Sequence, residues 1–133
     1  MMRHVPATLL NRALFGDAVA SGATGLLLTF AAGALDALLG LPVPLLRGAG
    51  LILIPYAVVV WLLARRVEPP RGAVWCVIAC NAIWAIDSVL LLVAGPVAPT
   101  ALGIAFVVAQ ASVVALFAEL QVFGLRRQAH AAA

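Results

Sequence analysis

The sequence predicts an all-α membrane protein, a bundle of four transmembrane helices running up, down, up and down. Three observations carry this. Four predominantly apolar runs occupy nearly the whole chain, and each has the roughly 20 residues a helix needs to cross about 30 Å of hydrocarbon. The composition is 65% hydrophobic and only 10% charged, with a mean hydropathy of +1.17, far from the roughly 25% charged residues of a soluble domain. Finally, the eight basic residues are all arginine, and seven of them fall in segments that would share one side of a membrane. Lipid offers the backbone no hydrogen-bond partners, so the apolar runs must be helical.

The spans read as about 13–35, 45–64, 72–93 and 101–124 of a single membrane domain. Leu41-Pro42-Val43-Pro44 separates the first two. Gly95-Pro96-Val97-Ala98-Pro99 separates the last two, since proline lacks the amide donor and restricts the residue before it. The middle link, Arg65 to Arg71, is the strongly charged one. Links this short make successive helices antiparallel neighbours. In the second span Pro55 removes one ladder bond and crowds the Leu51 carbonyl, which predicts a kink. The Ala-rich stretch 125–133 predicts a disordered tail. Ala18-Val19-Ala20 looks like a cleavage site, but Asn11, Arg12 and Asp17 interrupt the apolar stretch a signal peptide requires, so retention is expected.

Orientation follows from arginines in short loops, which concentrate on the cytoplasmic side. Arg3, Arg12, Arg65, Arg66, Arg71, Arg126 and Arg127 share one face against Arg47 alone on the other, so both termini are expected in the cytoplasm. Trp61 and Trp75 lie near the arginine-bearing ends, as interfacial anchors do. The layout resembles that of small four-helix proteins of bacterial inner membranes, and the resemblance implies a multi-pass inner-membrane location. Leu26 to Gly33 is weakly similar to Val89 to Gly95, a likeness that composition explains as readily as duplication.

Functional residues are sought among polar side chains inside the spans, where charge is costly. Counting inward at about 1.5 Å per residue puts Asp17 and Glu119 in the cytoplasmic third, Asp87 in the outer half and Asp36 at the outer boundary. Arg12, Arg65, Arg66 and Arg126 are expected to reach the inner pair, and Arg47 to reach Asp36. Near the midplane lie Ser21, Thr24, Tyr56, Asn81 and Gln110, with contributions from every helix. Asp17, Ser21 and Thr24 share one helical face, as do Asn81, Trp84 and Ser88, and likewise Gln110 and Gln121. The candidate polar site is therefore Asp17, Ser21, Thr24, Tyr56, Asn81, Asp87, Gln110 and Glu119, acting as interhelical glue or as a path for a proton or cation. The spacings Ser21-xxx-Gly25, Thr29-xxx-Gly33 and Ala101-xxx-Ala105-xxx-Ala109 predict close helix packing.

No catalytic, metal or cofactor motif is present in the sequence. Cys76 and Cys80 have no histidine within a span to complete a zinc, haem or cluster site, and their spacing is not that of a redox pair. The arginines fit topology and anionic lipid, not nucleic acid. The expected function is a non-enzymatic membrane subunit or interaction protein, in contact with lipid and with copies of itself or a larger complex. The alternative is a small proton- or cation-coupled transporter or channel using the intramembrane carboxylates.

Overall fold

A computed structural model describes residues 8–132 and is all-helical. It contains α1 (Leu9–Phe30), α2 (Ala32–Leu39), α3 (Val43–Ala64), α4 (Arg71–Ala94) and α5 (Ala101–Ala132). All but α2 are long and apolar enough to cross a membrane. Arg3 and His4 lie outside the described residues.

Local chemistry sets most of the helix ends. Thr8 caps α1, its hydroxyl accepting the Asn11 amide at 3.2 Å. Pro42 and Pro70 precede α3 and α4, where a missing amide donor costs nothing. Gly40 closes α2 in the left-handed conformation at φ 67°, its amide donating to the Asp36 carbonyl at 2.8 Å. A Cβ at Gly40 would also lie 2.9 Å from the Thr100 amide nitrogen, so both conformation and space require glycine there. Pro55 lies inside α3, which is continuous as a helix.

Two sequence expectations are corrected. The first span is not one helix over 13–35, because the ladder breaks at Ala31 and restarts as α2. No proline stands there; the cause is tertiary. The Leu38 carbonyl accepts the Thr100 hydroxyl at 2.7 Å and the Leu39 carbonyl accepts the Thr100 amide at 3.0 Å, a latch that turns α2 toward the α4–α5 link. Beside the break, Arg47 Nε donates to the Thr29 carbonyl at 3.5 Å. The second correction concerns the tail: α5 continues past Gly124 to Ala132, anchored by the fully buried Leu125. Ala133 lies outside the described residues.

The helices pack as two hairpins. α1 lies along α3 over most of its length, α4 lies along α5, and α1 against α5 joins the pairs. α3 and α4 scarcely touch, although they are consecutive in the chain. The start of α1 lies beside the end of α3, because Asn11 Nδ2 donates to the Ala64 and Arg66 carbonyls at 2.9 and 2.7 Å and so satisfies the free end of that helix. The same end holds Gly124, where a Cβ would approach Leu10 Cα to 2.7 Å. Two apolar cores result. One, around Leu10, Leu14, Val60, Val74 and Leu125, is at the arginine-rich end; the other, around Leu28, Leu39, Leu46 and Val107, is at the latch end. Tyr56 packs against both.

The tightest helix contact is between α1 and α3. A Cβ at Gly50 would lie 2.7 Å from both the Gly25 carbonyl oxygen and the Thr29 amide nitrogen. Gly25 and Thr29 therefore belong to a close interface, whereas Gly33 has nothing within 4 Å and Ala101, Ala105 and Ala109 are exposed. The Gly50→Ala variant is expected to lose about 1–3 kcal/mol, since backbone would have to move. Gly33→Ala should leave stability unchanged. Thermal unfolding of both in detergent checks this, and equal midpoints would contradict the packing described.

Candidate functional site

Asp17 is 1% exposed, and one side chain from each long helix donates to it. Its Oδ2 accepts Asn81 Nδ2 of α4 at 2.8 Å, Gln121 Nε2 of α5 at 2.8 Å and the Tyr56 hydroxyl of α3 at 3.1 Å. Its Oδ1 accepts the Ser21 hydroxyl of α1 at 3.0 Å. Three donors therefore converge on Oδ2 and one reaches Oδ1, with the Tyr56 proton shared between Asp17 and Asn81. Asn81 and Gln121 are themselves joined, Nδ2 to Oε1, at 3.1 Å.

This arrangement replaces the expected ion pairs. Arg12, Arg65, Arg66 and Arg126 do not reach Asp17; its partners among the described residues are neutral amides and hydroxyls. The reason is length and position. Asp17 faces the bundle axis behind Leu14 and Val60, while Arg12, Arg65, Arg66 and Arg126 are exposed and Arg65 lies over the Trp61 ring at 4.7 Å. A buried charge is tolerated only when its hydrogen bonds are complete, and here the donors come from four separate helices.

The Tyr56 hydroxyl has one proton and two acceptors in reach, Asp17 Oδ2 at 3.1 Å and Asn81 Oδ1 at 2.8 Å. Its single proton can serve only one of these acceptors at a time.

A second polar cluster forms toward the latch end. Trp84 Nε1 donates to Gln110 Oε1 at 2.8 Å, Gln110 Nε2 donates to Ser88 Oγ at 2.9 Å, and Ser88 Oγ donates to the Trp84 carbonyl at 2.7 Å. Gln110 therefore belongs with Trp84 and Ser88, and Gln121 takes the place beside Asp17 and Asn81. Thr24 is half-buried and faces two cavities, one of about 400 Å³ that also meets Asp17 and Ser21, the other of about 490 Å³ that meets Asp87 and Ser88. Trp84, Phe106 and Gln110 border both. Asp87 and Glu119 are exposed and stand apart from Asp17; Glu119 lies with Arg126 in a shallow site at the arginine-rich end. Among the described residues no group of three His, Cys, Asp or Glu side chains is placed to hold a metal ion.

Sequence reasoning passed over Gln121 and Asn11. Gln121 has one signal, since it stands as far before Arg126 as Asp17 stands after Arg12, which puts both at one depth on antiparallel helices. Asn11 has none beyond its position at the start of a span.

Comparison with protein-family models, with curated proteins and with solved structures finds no match. The chain is a helical protein with four membrane-span-length helices around a buried carboxylate that accepts from all four.

Replacing Asp17 should separate shape from bonding. In Asp17→Asn the amide oxygen can keep the three Oδ2 bonds while its nitrogen donates to Ser21, so only a small loss is expected. Asp17→Leu strands the Gln121 donor and leaves Asn81 and Tyr56 only their mutual and Gln121 contacts, for a loss of about 1–3 kcal/mol. Asp36→Asn, at an exposed position, should be neutral. Unfolding midpoints in this order support the cluster; Asp17→Leu as stable as the parent would dismiss it.

Proposed function

We propose that the protein is a non-enzymatic, multi-pass subunit of a bacterial inner membrane, an up-down-up-down bundle with both termini in the cytoplasm that associates with copies of itself or with a larger membrane complex. The observation that carries this reading is the Asp17 cluster. Polar side chains of all four long helices are turned inward and bonded to one another, which makes the bundle a single unit. The outward faces are left apolar, with Phe30, Val93, Ile52 and Ile83 among the most exposed side chains. Such a surface suits lipid and other helices. The links outside the spans are short, so a partner would be met within the membrane. The orientation is supported by the arginine partition, and the described arginines Arg12, Arg65, Arg66 and Arg126 lie at the end where Asn11 meets the close of α3.

A second reading, a small proton- or cation-coupled transporter, draws support from one feature. Asp17 borders a cavity that shares Thr24, Trp84, Phe106 and Gln110 with the cavity bordered by Asp87. Intramembrane carboxylates on connected cavities are the usual furniture of a proton or cation path.

Three experiments test these readings. Reporter fusions after Arg127 and within 96–99 are expected to place the first in the cytoplasm and the second outside; a periplasmic carboxyl terminus would overturn the layout. Cross-linking and native mass measurement after gentle solubilisation should give a homo-oligomer or a bound partner, whereas a strictly monomeric, partner-free particle would count against the subunit reading. In liposomes, ion flux abolished by Asp17→Asn with an intact fold would favour the transporter instead.

A further inference from the structure

The weak contact between α3 and α4 has a physical consequence. Tyr56 and Asn81 bridge the two helices at the level of Asp17, but toward the latch end nothing comparable closes the gap, and the cavity of about 490 Å³ opens there with walls from all four long helices. Its volume lies within the roughly 300–1,000 Å³ of small-molecule sites. The walls are largely apolar, including Leu45, Ile52 and Phe106. One side is polar and rigid: the Trp84 ring is fixed through Gln110 and Ser88, and Asp87 stands one helical turn beyond Trp84.

Asp87 gives the cavity its sign. The arginine of this end, Arg47, is directed to the Thr29 carbonyl, and Asp87 has no arginine partner among the described residues. Asp87 is an exposed carboxylate on a largely apolar wall of a span-length helix, and within a membrane such a charge is costly to leave without a counter-charge. An aromatic ring held beside it adds a face that attracts cations. A ligand complementary to all three features has an apolar body, a single positive charge and a volume of a few hundred cubic ångströms.

We propose that the cavity between α3 and α4 is a binding site for a lipophilic organic cation, with Asp87 as counter-ion, Trp84 and Phe106 as aromatic walls and the Trp84–Gln110–Ser88 cluster holding the polar side in shape. The site uses Asp87 and not Asp17, although Trp84, Phe106 and Gln110 border both cavities, and it does not depend on whether the protein is a subunit of a complex. A lipid acyl chain would use the apolar walls but ignore the carboxylate, and this difference decides the test.

The probes are tetraphenylphosphonium and tetraphenylborate, which share a shape and differ in sign, applied to the full chain in detergent by equilibrium dialysis. The cation is expected to bind saturably at one site per chain, and the borate not to bind saturably. Asp87→Asn should weaken cation binding at least tenfold and Asp87→Glu should restore most of it, while Asp36→Asn leaves it unchanged. Gly48→Leu provides a variant that keeps the carboxylate: Gly48 borders the cavity, and nothing lies within 4 Å of an added Cβ, so the larger side chain starts in open space at the cavity wall and its fold is checked by the unfolding midpoint. It should also abolish binding. Equal binding of both probes, no saturable cation binding, unchanged affinity in Asp87→Asn, or a co-purified acyl chain that the cation fails to displace would each overturn the proposal.

Discussion

Everything in this bundle is arranged around the difficulty of burying the Asp17 carboxylate. A carboxylate in a low-dielectric interior needs hydrogen-bond donors, and among the described residues no arginine supplies one. The donors therefore have to come from neighbouring helices, and they come from all of them. The requirement converts four segments that lipid alone would not drive together into one unit, because apolar helices in apolar solvent lack a hydrophobic incentive to associate. It also specifies which face of each helix points inward, since only one rotation of α3, α4 and α5 brings Tyr56, Asn81 and Gln121 to the same carboxylate.

The cluster and the packing around it divide the molecule. On the arginine-rich side, Leu10, Leu14, Val60, Val74 and Leu125 close the bundle, and Asn11 holds the end of α3 against α1. On the other side, Gly25 and Gly50 draw α1 and α3 together so closely that the second hairpin meets the first mainly through α1 and α5. The Thr100 latch then fixes the far end of α2 to the α4–α5 link. A bundle tied at these places, but between α3 and α4 only through Tyr56 and Asn81, has an opening toward the latch end, and the cavity bordered by Asp87 is that opening.

The spans were legible in the sequence because hydrocarbon thickness and backbone satisfaction leave a run of apolar residues few options. The polar interior was legible in part. Asp17, Ser21, Tyr56 and Asn81 stood out singly by depth and face, but their convergence did not, since depth counting separated Asp17 from the midplane residues while helix tilt and side-chain length bring them to one level. Gln121 was overlooked for Gln110, its partner on the same face of α5, because periodicity gives a face and not a depth. The break at Ala31 had no local signal. It is imposed by Thr100, a residue 62 positions from Leu38, and long-range hydrogen bonds of this kind leave no trace in local pattern. The expectation that arginines would pair with Asp17 failed for a related reason: nearness along the chain to Arg12 does not prevent the carboxylate from facing the axis while the guanidinium faces outward.

The most direct test of the central claim is the energetic coupling between Tyr56 and Gln121. These residues sit on α3 and α5, whose backbones do not approach each other closely, and they share Asp17 Oδ2 as acceptor. A double-mutant cycle of Tyr56→Phe and Gln121→Leu, measured by unfolding in detergent, should give a coupling above about 0.5 kcal/mol that disappears in an Asp17→Leu background. Additivity within about 0.3–0.5 kcal/mol in the parent background would show that the carboxylate does not join the helices, and the account would be wrong at its centre.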